Sequence, residues 1–384
     1  RKAVDIIVKY IDELLEKSTP EAPMWNIEKL KQGLKSKWNY IDGCMIKAVL
    51  EMYAISKDEK YLKFADDFID YRVAEDGTID GYSIGEKNID NVNAGKTLFE
   101  LYDLTGKEKY KKAVDLVYSQ IEIMPRCQNE ARSFWHKDIY PNQVWLDGLY
   151  MGLPFYLEYE TRYNDRKNYS DIFGQFKFVI ENMRNPINGL YFHAMDTSRE
   201  AFWCDKVTGL SQHSWLRAIG WYTMALIDTL DQVDNKDHKY DAECKMLEDA
   251  FKDLVDSMLK YQDESGMWYQ VVNYGGMDKN YLETSGSSIM AYALLKAVRL
   301  GYLSDDYAQY AKKAIDGICE RYLKTKEDGS LSLGGICLVA GLGGNGRRPG
   351  TYDYYMSEPI VEDDAKGVGP FLLAYTELLR YENK

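Results

Sequence analysis

Two kinds of helical segment alternate along this chain, six of each. One kind is amphipathic and charge-rich, at roughly 3–17, 60–72, 108–122, 169–183, 242–262 and 306–323. In the segment Lys60–Arg72 an apolar stripe recurs at helical spacing, with acids and lysines opposite it. The other kind is apolar or small on nearly every face, at roughly 38–56, 91–104, 141–162, 214–231, 283–301 and 367–381. A helix without a polar face has to be buried on most sides. Turn-like stretches follow several of the amphipathic segments, among them Glu75-Asp76-Gly77, Asn188-Gly189-Leu190-Tyr191, Ser265-Gly266-Met267 and Glu327-Asp328-Gly329. Six outer helices paired with six inner ones make six hairpins of roughly 60 residues each, similar in pattern and not in sequence. Closed on themselves, they form an all-α (α/α)6 barrel, a six-hairpin toroid; an open solenoid of helix pairs is the alternative. Closure is favoured because the inner helices have no face to offer to water. No Pro/Gly/Ser-rich linker interrupts the series, so residues 1–384 are read as a single domain.

In such a toroid the inner helices all run the same way, and their N-termini meet at one mouth. Helix N-termini carry partial positive charge and free N–H groups, which favours an anionic ligand there. The chain has 32 Tyr and 8 Trp, and such rings offer sugars a flat apolar face with a polar tip. A large helical core uses the same residues for packing. The net charge of −13 argues against nucleic acid or an anionic membrane as partner. No apolar stretch approaches the ~18 residues of a membrane span. The six cysteines are scattered without a C-x-x-C pair, and the opening residues carry no secretory signal, so a cytoplasmic location is expected. The four histidines, at 136, 193, 213 and 238, show no H-x-x-x-H or H-x-H spacing, so no metal is expected.

The stretch Phe134–Met151 is the richest in chemistry-bearing residues. Pro141 is placed to open a helix, which puts Asp147 nearly two turns in, among Val144, Trp145, Leu146, Leu149 and Met151. A buried, unpaired carboxylate is costly, so burial is expected to raise its pKa and keep it protonated near neutral pH. That is the state a general acid needs; a core Asp bonded to a neighbouring helix is the bland alternative. Asp90 sits just ahead of an inner helix, where it either caps that helix or joins Asp147 at the mouth as a second carboxyl group. His193 follows a turn on the mouth side, where a solvated loop histidine is the alternative. Arg217 and Trp221 share a helix face, and a buried Arg needs an anion, either a structural Glu or a carboxylate on a substrate. Trp215 points away from that face in an ideal helix, so its role depends on where the helix begins. The Gly-rich stretch Ala340–Gly350 lacks the G-x-x-x-x-G-K-[ST] pattern of a phosphate loop, and is read as a flexible loop closing over the mouth.

From about residue 38 to the C-terminus the chain resembles glycoside hydrolase family 105, the unsaturated rhamnogalacturonyl hydrolases. The resemblance is carried by Phe134-Trp135-His136-Lys137, Ile139-Tyr140-Pro141-Asn142-Gln143 and Trp145-Leu146-Asp147-Gly148-Leu149-Tyr150-Met151. Arg217-Ala218-Ile219-Gly220-Trp221-Tyr222, Tyr261-Gln262-Asp263 and Val339-Ala340-Gly341-Leu342-Gly343-Gly344 extend it. It implies an (α/α)6 barrel without metal or organic cofactor, acting on unsaturated galacturonyl-rhamnose oligosaccharides left by a lyase. It also implies that Asp147 protonates C4 of the enol ether double bond and helps activate the water that adds at C5. By the same resemblance Asp90, His193, Trp215, Arg217, Trp221, Tyr40 and His136 bind the unsaturated sugar. The readings that compete are an unsaturated glucuronyl hydrolase, an inverting glycosidase on the same barrel, and a non-catalytic sugar-binding protein.

Overall fold

The alternation read from the sequence becomes a closed double ring in the computed structural model, which describes residues 2–383, with side chains from residue 6 onward. Arg1 and Lys384, the ends of the expected single domain, lie outside the described residues. The helices are α1 (Lys2–Glu16), α2 (Ile27–Lys31), α3 (Tyr40–Ser56), α4 (Glu59–Arg72), α5 (Lys96–Thr105), α6 (Glu108–Ile123) and α7 (Leu146–Tyr163). They continue with α8 (Tyr169–Asn182), α9 (Leu216–Gln232), α10 (Asp241–Leu259), α11 (Thr284–Leu300), α12 (Ala308–Tyr322), α13 (Tyr352–Ser357) and α14 (Ala365–Glu382). The inner ring runs α3, α5, α7, α9, α11, α14, each packed on the next, and α14 packs back on α3. That last contact makes an (α/α)6 barrel and rules out the open solenoid. Outside it lie α1, α4, α6, α8, α10 and α12.

Burial follows the two hydrophobic patterns. In α11 every residue from Thr284 to Ala297 is buried, and in α9 every residue from Leu216 to Leu230. Outer helix α4 buries only Tyr61, Ala65, Phe68, Ile69 and Arg72, one stripe at helical spacing. Helix starts are fixed by side chains that accept from free N–H groups: Asn39 for α3, Asp58 for α4, Glu283 for α11 and Asp364 for α14.

Two inner segments begin differently from the expectation. The helix expected to open at Pro141 starts at Leu146. Asn142 adopts φ 61°, which ends any helix there, and Gln143–Trp145 form a strand, β1. It pairs antiparallel with β2 (Ala194–Asp196), Val144 opposite Met195, as β-branched and aromatic residues favour. The segment expected as one helix over 91–104 is split, with a 3-10 turn at Ile89–Gly95 leading into α5. Here the backbone lies hard against α3: a Cβ on Gly43 would fall 2.8 Å from Ala94 Cα.

The inner helices are not apolar throughout. At the end of the barrel away from their N-termini, charged residues form ion pairs around a small cavity of about 90 Å³. Lys296 meets Asp228 at 2.8 Å, Lys47 meets Glu51 at 3.0 Å, Arg299 meets Glu377 at 2.8 Å, and Arg380 reaches Glu51. Pairing is what makes charge tolerable at this depth.

Candidate active site

The first turns of the inner helices meet at the other end of the barrel around a cavity of about 250 Å³. Tyr40 opens α3, Asp90 lies in the 3-10 turn, Asp147 and Arg217 sit in the first turns of α7 and α9, and Trp221 lies one turn below Arg217. All five line the cavity, together with His136 and Trp215 from the preceding loops. His193, the remaining residue singled out from the sequence, lies just outside the wall, fully buried behind Asp147.

Asp147 is therefore in the first turn of its helix, not two turns in. Its position comes from the β1–β2 pairing, in which Trp145 stands opposite Ala194 and Leu146 N–H donates to the His193 carbonyl at 3.0 Å. One bridge thus sets the residue before β2 beside the residue after β1. His193 Nε2 lies 3.1 Å from Asp147 Oδ1, so the carboxyl expected to be unpaired has an imidazole against it. The other face of His193 is held by Tyr355, whose hydroxyl is 2.7 Å from Nδ1. His193 is no solvated loop residue.

Asp90 has a similar backing. His136 Nε2 is 3.3 Å from its Oδ1, and Lys137 Nζ is 3.4 Å from Oδ2. Burial pushes this carboxyl up, but its interactions and hydrogen bonds with His136 and Lys137 outweigh that and bring it down to about 2. Asp90 is ionised at any ordinary pH. It does not cap a helix; Asn88 does that, accepting from Asp90 N–H. His136 stacks on Trp145 with ring centres 4.4 Å apart, and Tyr140 joins the stack at 4.8 Å from Trp145.

Arg217 is buried, and the oxygens around its guanidinium are neutral: Ser285 Oγ at 3.2 Å and the carbonyls of Cys337 at 2.5 Å and Leu338 at 3.2 Å. The two acids in the neighbourhood are engaged elsewhere: Glu283 accepts from Ser285 and from the N–H groups of Gly286 and Cys337, and Asp364 pairs with Lys366 at 3.1 Å. Of the two anions a buried Arg could have had, the structural glutamate is thus taken, and the guanidinium remains available to an anion in the cavity. Trp215 precedes α9 as its cap residue and turns its ring over Arg217, 4.8 Å from Cζ to the ring centre.

Sequence reasoning missed Lys137, Tyr140, Trp145 and Arg348 as wall residues. The first three stand in strings whose chemistry was noticed, but only the fold shows which side chains turn inward. Arg348 comes from the Gly-rich stretch, which does cross the mouth. It donates to Tyr140 Oη at 2.8 Å and to the Gly343 carbonyl at 3.1 Å. Gly341 makes room for it, since a Cβ there would fall 2.5 Å from the guanidinium. Among the described residues no three His, Cys, Asp or Glu side chains are grouped as metal ligands. No described helix is long and apolar enough to cross a membrane.

Of the three carboxyl groups on the cavity, Glu28 is half-exposed and paired with Lys366 at 3.1 Å. The two buried ones, Asp90 and Asp147, facing one aromatic-walled cavity of an (α/α)6 barrel, are the equipment of a glycoside hydrolase. The chain belongs to glycosyl hydrolase family 88, whose model matches residues 11–382. A solved glycoside hydrolase of family 105 from C. acetobutylicum ATCC 824 is 41% identical, superposes with a TM-score of 0.89, and each chain covers 100% of the other. The unsaturated rhamnogalacturonyl hydrolase YesR of Bacillus subtilis strain 168 is 25% identical over 302 residues, 77% of this chain and 78% of that one. An unsaturated glucuronyl hydrolase specific for heparin shares the fold, with a TM-score of 0.68 at 13% identity, over 100% of this chain and 97% of its own.

Proposed function

We propose that this protein, working as one catalytic domain, removes a 4,5-unsaturated galacturonic acid from the non-reducing end of rhamnogalacturonan oligosaccharides. The observation that carries the reading is the unequal pair of carboxyl groups. Asp90 is held ionised by His136 and Lys137, while Asp147 has one oxygen against His193 and its other edge on the cavity. Paired carboxyls with divided roles are how glycosidic chemistry separates proton donation from charge stabilisation. Arg217, with only neutral oxygens around it, suits the carboxylate of a uronic acid. The rings of Trp215, Trp221 and Tyr40 suit the faces of the sugar. Rhamnose as the partner sugar is supported by the likeness to YesR.

In this reading Asp147 gives its proton to C4 of the double bond, and the positive charge that develops at C5 and the ring oxygen is stabilised by ionised Asp90. Water adds at C5 and returns its proton to Asp147. The hemiketal so formed opens, the C1–O bond to the aglycone breaks, and the shortened oligosaccharide leaves. Asp147 is regenerated and no cofactor enters any step. The cytoplasm is a fitting location, since it receives short oligosaccharides and keeps the six free thiols reduced.

The enol ether conjugated with its carboxylate absorbs in the ultraviolet, and hydration, which removes the double bond, removes that absorbance. With lyase-treated rhamnogalacturonan the absorbance is expected to disappear, and Asp147→Asn to abolish its loss. Loss on unsaturated glucuronides alone would assign the sister activity. Cleavage of a saturated oligosaccharide with the absorbance intact would make the protein an ordinary inverting glycosidase.

A further inference from the structure

Behind Asp147 lies a buried chain of polar groups that the reaction above does not use. Tyr355, on α13, is wholly buried. Its hydroxyl lies 2.7 Å from His193 Nδ1 and makes no other hydrogen bond among the described residues. The tyrosine is well anchored. Its carbonyl accepts from Gln270 Nε2 at 3.2 Å, and Gln270 Oε1 accepts from Trp215 Nε1 at 2.9 Å. Its ring lies beside Trp215, centres 6.2 Å apart.

A buried O–H with one neighbour must donate to that neighbour or lose a hydrogen bond outright. Burial drives the Tyr355 phenol far above its ordinary range, so the proton stays on oxygen. Nδ1 of His193 is then the acceptor, and the ring proton sits on Nε2, which lies 3.1 Å from Asp147 Oδ1, a close contact short of hydrogen-bond geometry that leaves each atom without another partner among the described residues. Oδ1 is buried, and Oδ2 is the oxygen left toward the cavity.

We infer that Tyr355 is a positioning residue: by donating to Nδ1 it fixes His193 as the Nε2–H tautomer, which holds a proton against buried Asp147 Oδ1 and leaves Oδ2 for the proton that leaves and returns. One oxygen then serves both C4 protonation and water activation, without rotation of the carboxyl between them. Tyr355 itself touches neither substrate nor reacting atoms. The consequence for turnover rests on the proposed hydration reaction; the tautomer does not.

The test uses the full chain labelled with ¹⁵N. Long-range proton–nitrogen correlations of the imidazoles report the tautomer of His193, whose signals are assigned by their loss in His193→Gln. The wild type is expected to show the Nε2–H form. In Tyr355→Phe, where Nδ1 loses the donor that enforces one tautomer, the Nε2–H form should cease to be exclusive, and kcat on the unsaturated disaccharide should fall at least about tenfold, with KM nearly unchanged. A purely structural tyrosine would not move the tautomer in a folded variant. An Nδ1–H tautomer in the wild type overturns the inference. So does a Tyr355→Phe enzyme that keeps both the tautomer and kcat. If that variant does not fold, the wild-type spectrum decides alone. Should the wild type leave unsaturated uronides untouched, the proposed function falls, while the tautomer is judged separately.

Discussion

Asp90 and Asp147 share a cavity, and each has an imidazole Nε2 against its Oδ1, at 3.3 Å and 3.1 Å. Asp90 has in addition the Lys137 ammonium, and its pKa of about 2 lies below the ~3.9 of an unfolded chain. A carboxyl lowered on folding contributes stability that is fully present above the unfolded value and is lost as pH falls through the folded one. The wild type should therefore lose about 2 kcal/mol at this residue between pH ~4 and pH ~2, and Asp90→Asn should not. Urea melts of the two proteins across that range measure the difference. At this scale the sequence was partly legible. An acid inside Val144-Trp145-Leu146-Asp147-Gly148 drew attention because its neighbours are apolar, yet Pro141 misled about its depth. Tyr355 could not be tied to His193 from the sequence, because 162 residues separate them and only the closed ring brings them together.

The elements that carry the two acids are placed by close backbone approaches. Gly43 on α3 faces the 3-10 turn that holds Asp90, and a Cβ there would meet Ala94 N at 2.9 Å as well as Ala94 Cα. Alanine is the better helix former by about 1 kcal/mol, but neither backbone can yield without moving the other. Gly43→Ala is expected to destabilise by about 1–3 kcal/mol net and to lower activity through displaced Asp90, as denaturant melts and the absorbance assay would show. The twelve barrel helices were legible as elements because each keeps one hydrophobic pattern over several turns. Their first turns were not. A three-residue strand such as β1 has too few residues to display a period, and the 3-10 turn at Ile89–Gly95 is set by what it packs against.

For the whole molecule the ring depends on the joint between its first and last inner helices. Arg380 of α14 reaches Glu51 of α3, and Glu377, almost fully buried, holds both Arg380 and Arg299 of α11. Glu377→Ala leaves two guanidinium groups short of a carboxylate. Because both are partly exposed to water, the expected loss is about 2 kcal/mol, less than for a sealed pair, and is measured as a lower Tm that salt partly conceals. Closure itself was an inference from the lack of polar faces. The sequence held no sign that the far end of the barrel would be tied by ion pairs, since Lys47, Glu51, Asp228, Lys296 and Glu377 are spread across four helices.

That charged joint, together with Trp221 stacked on Tyr150 above it, turns the barrel from a tube into a cup. A polymer cannot be threaded through a cup. In the proposed reaction a saccharide enters by one tip, and the fragment split off must depart through the same opening before another can arrive. Under the proposed function, traffic at the rim, where Arg348 and the glycine-rich crossing stand, bears on every turnover, and a long chain would be shortened by separate visits, not in one continuous run.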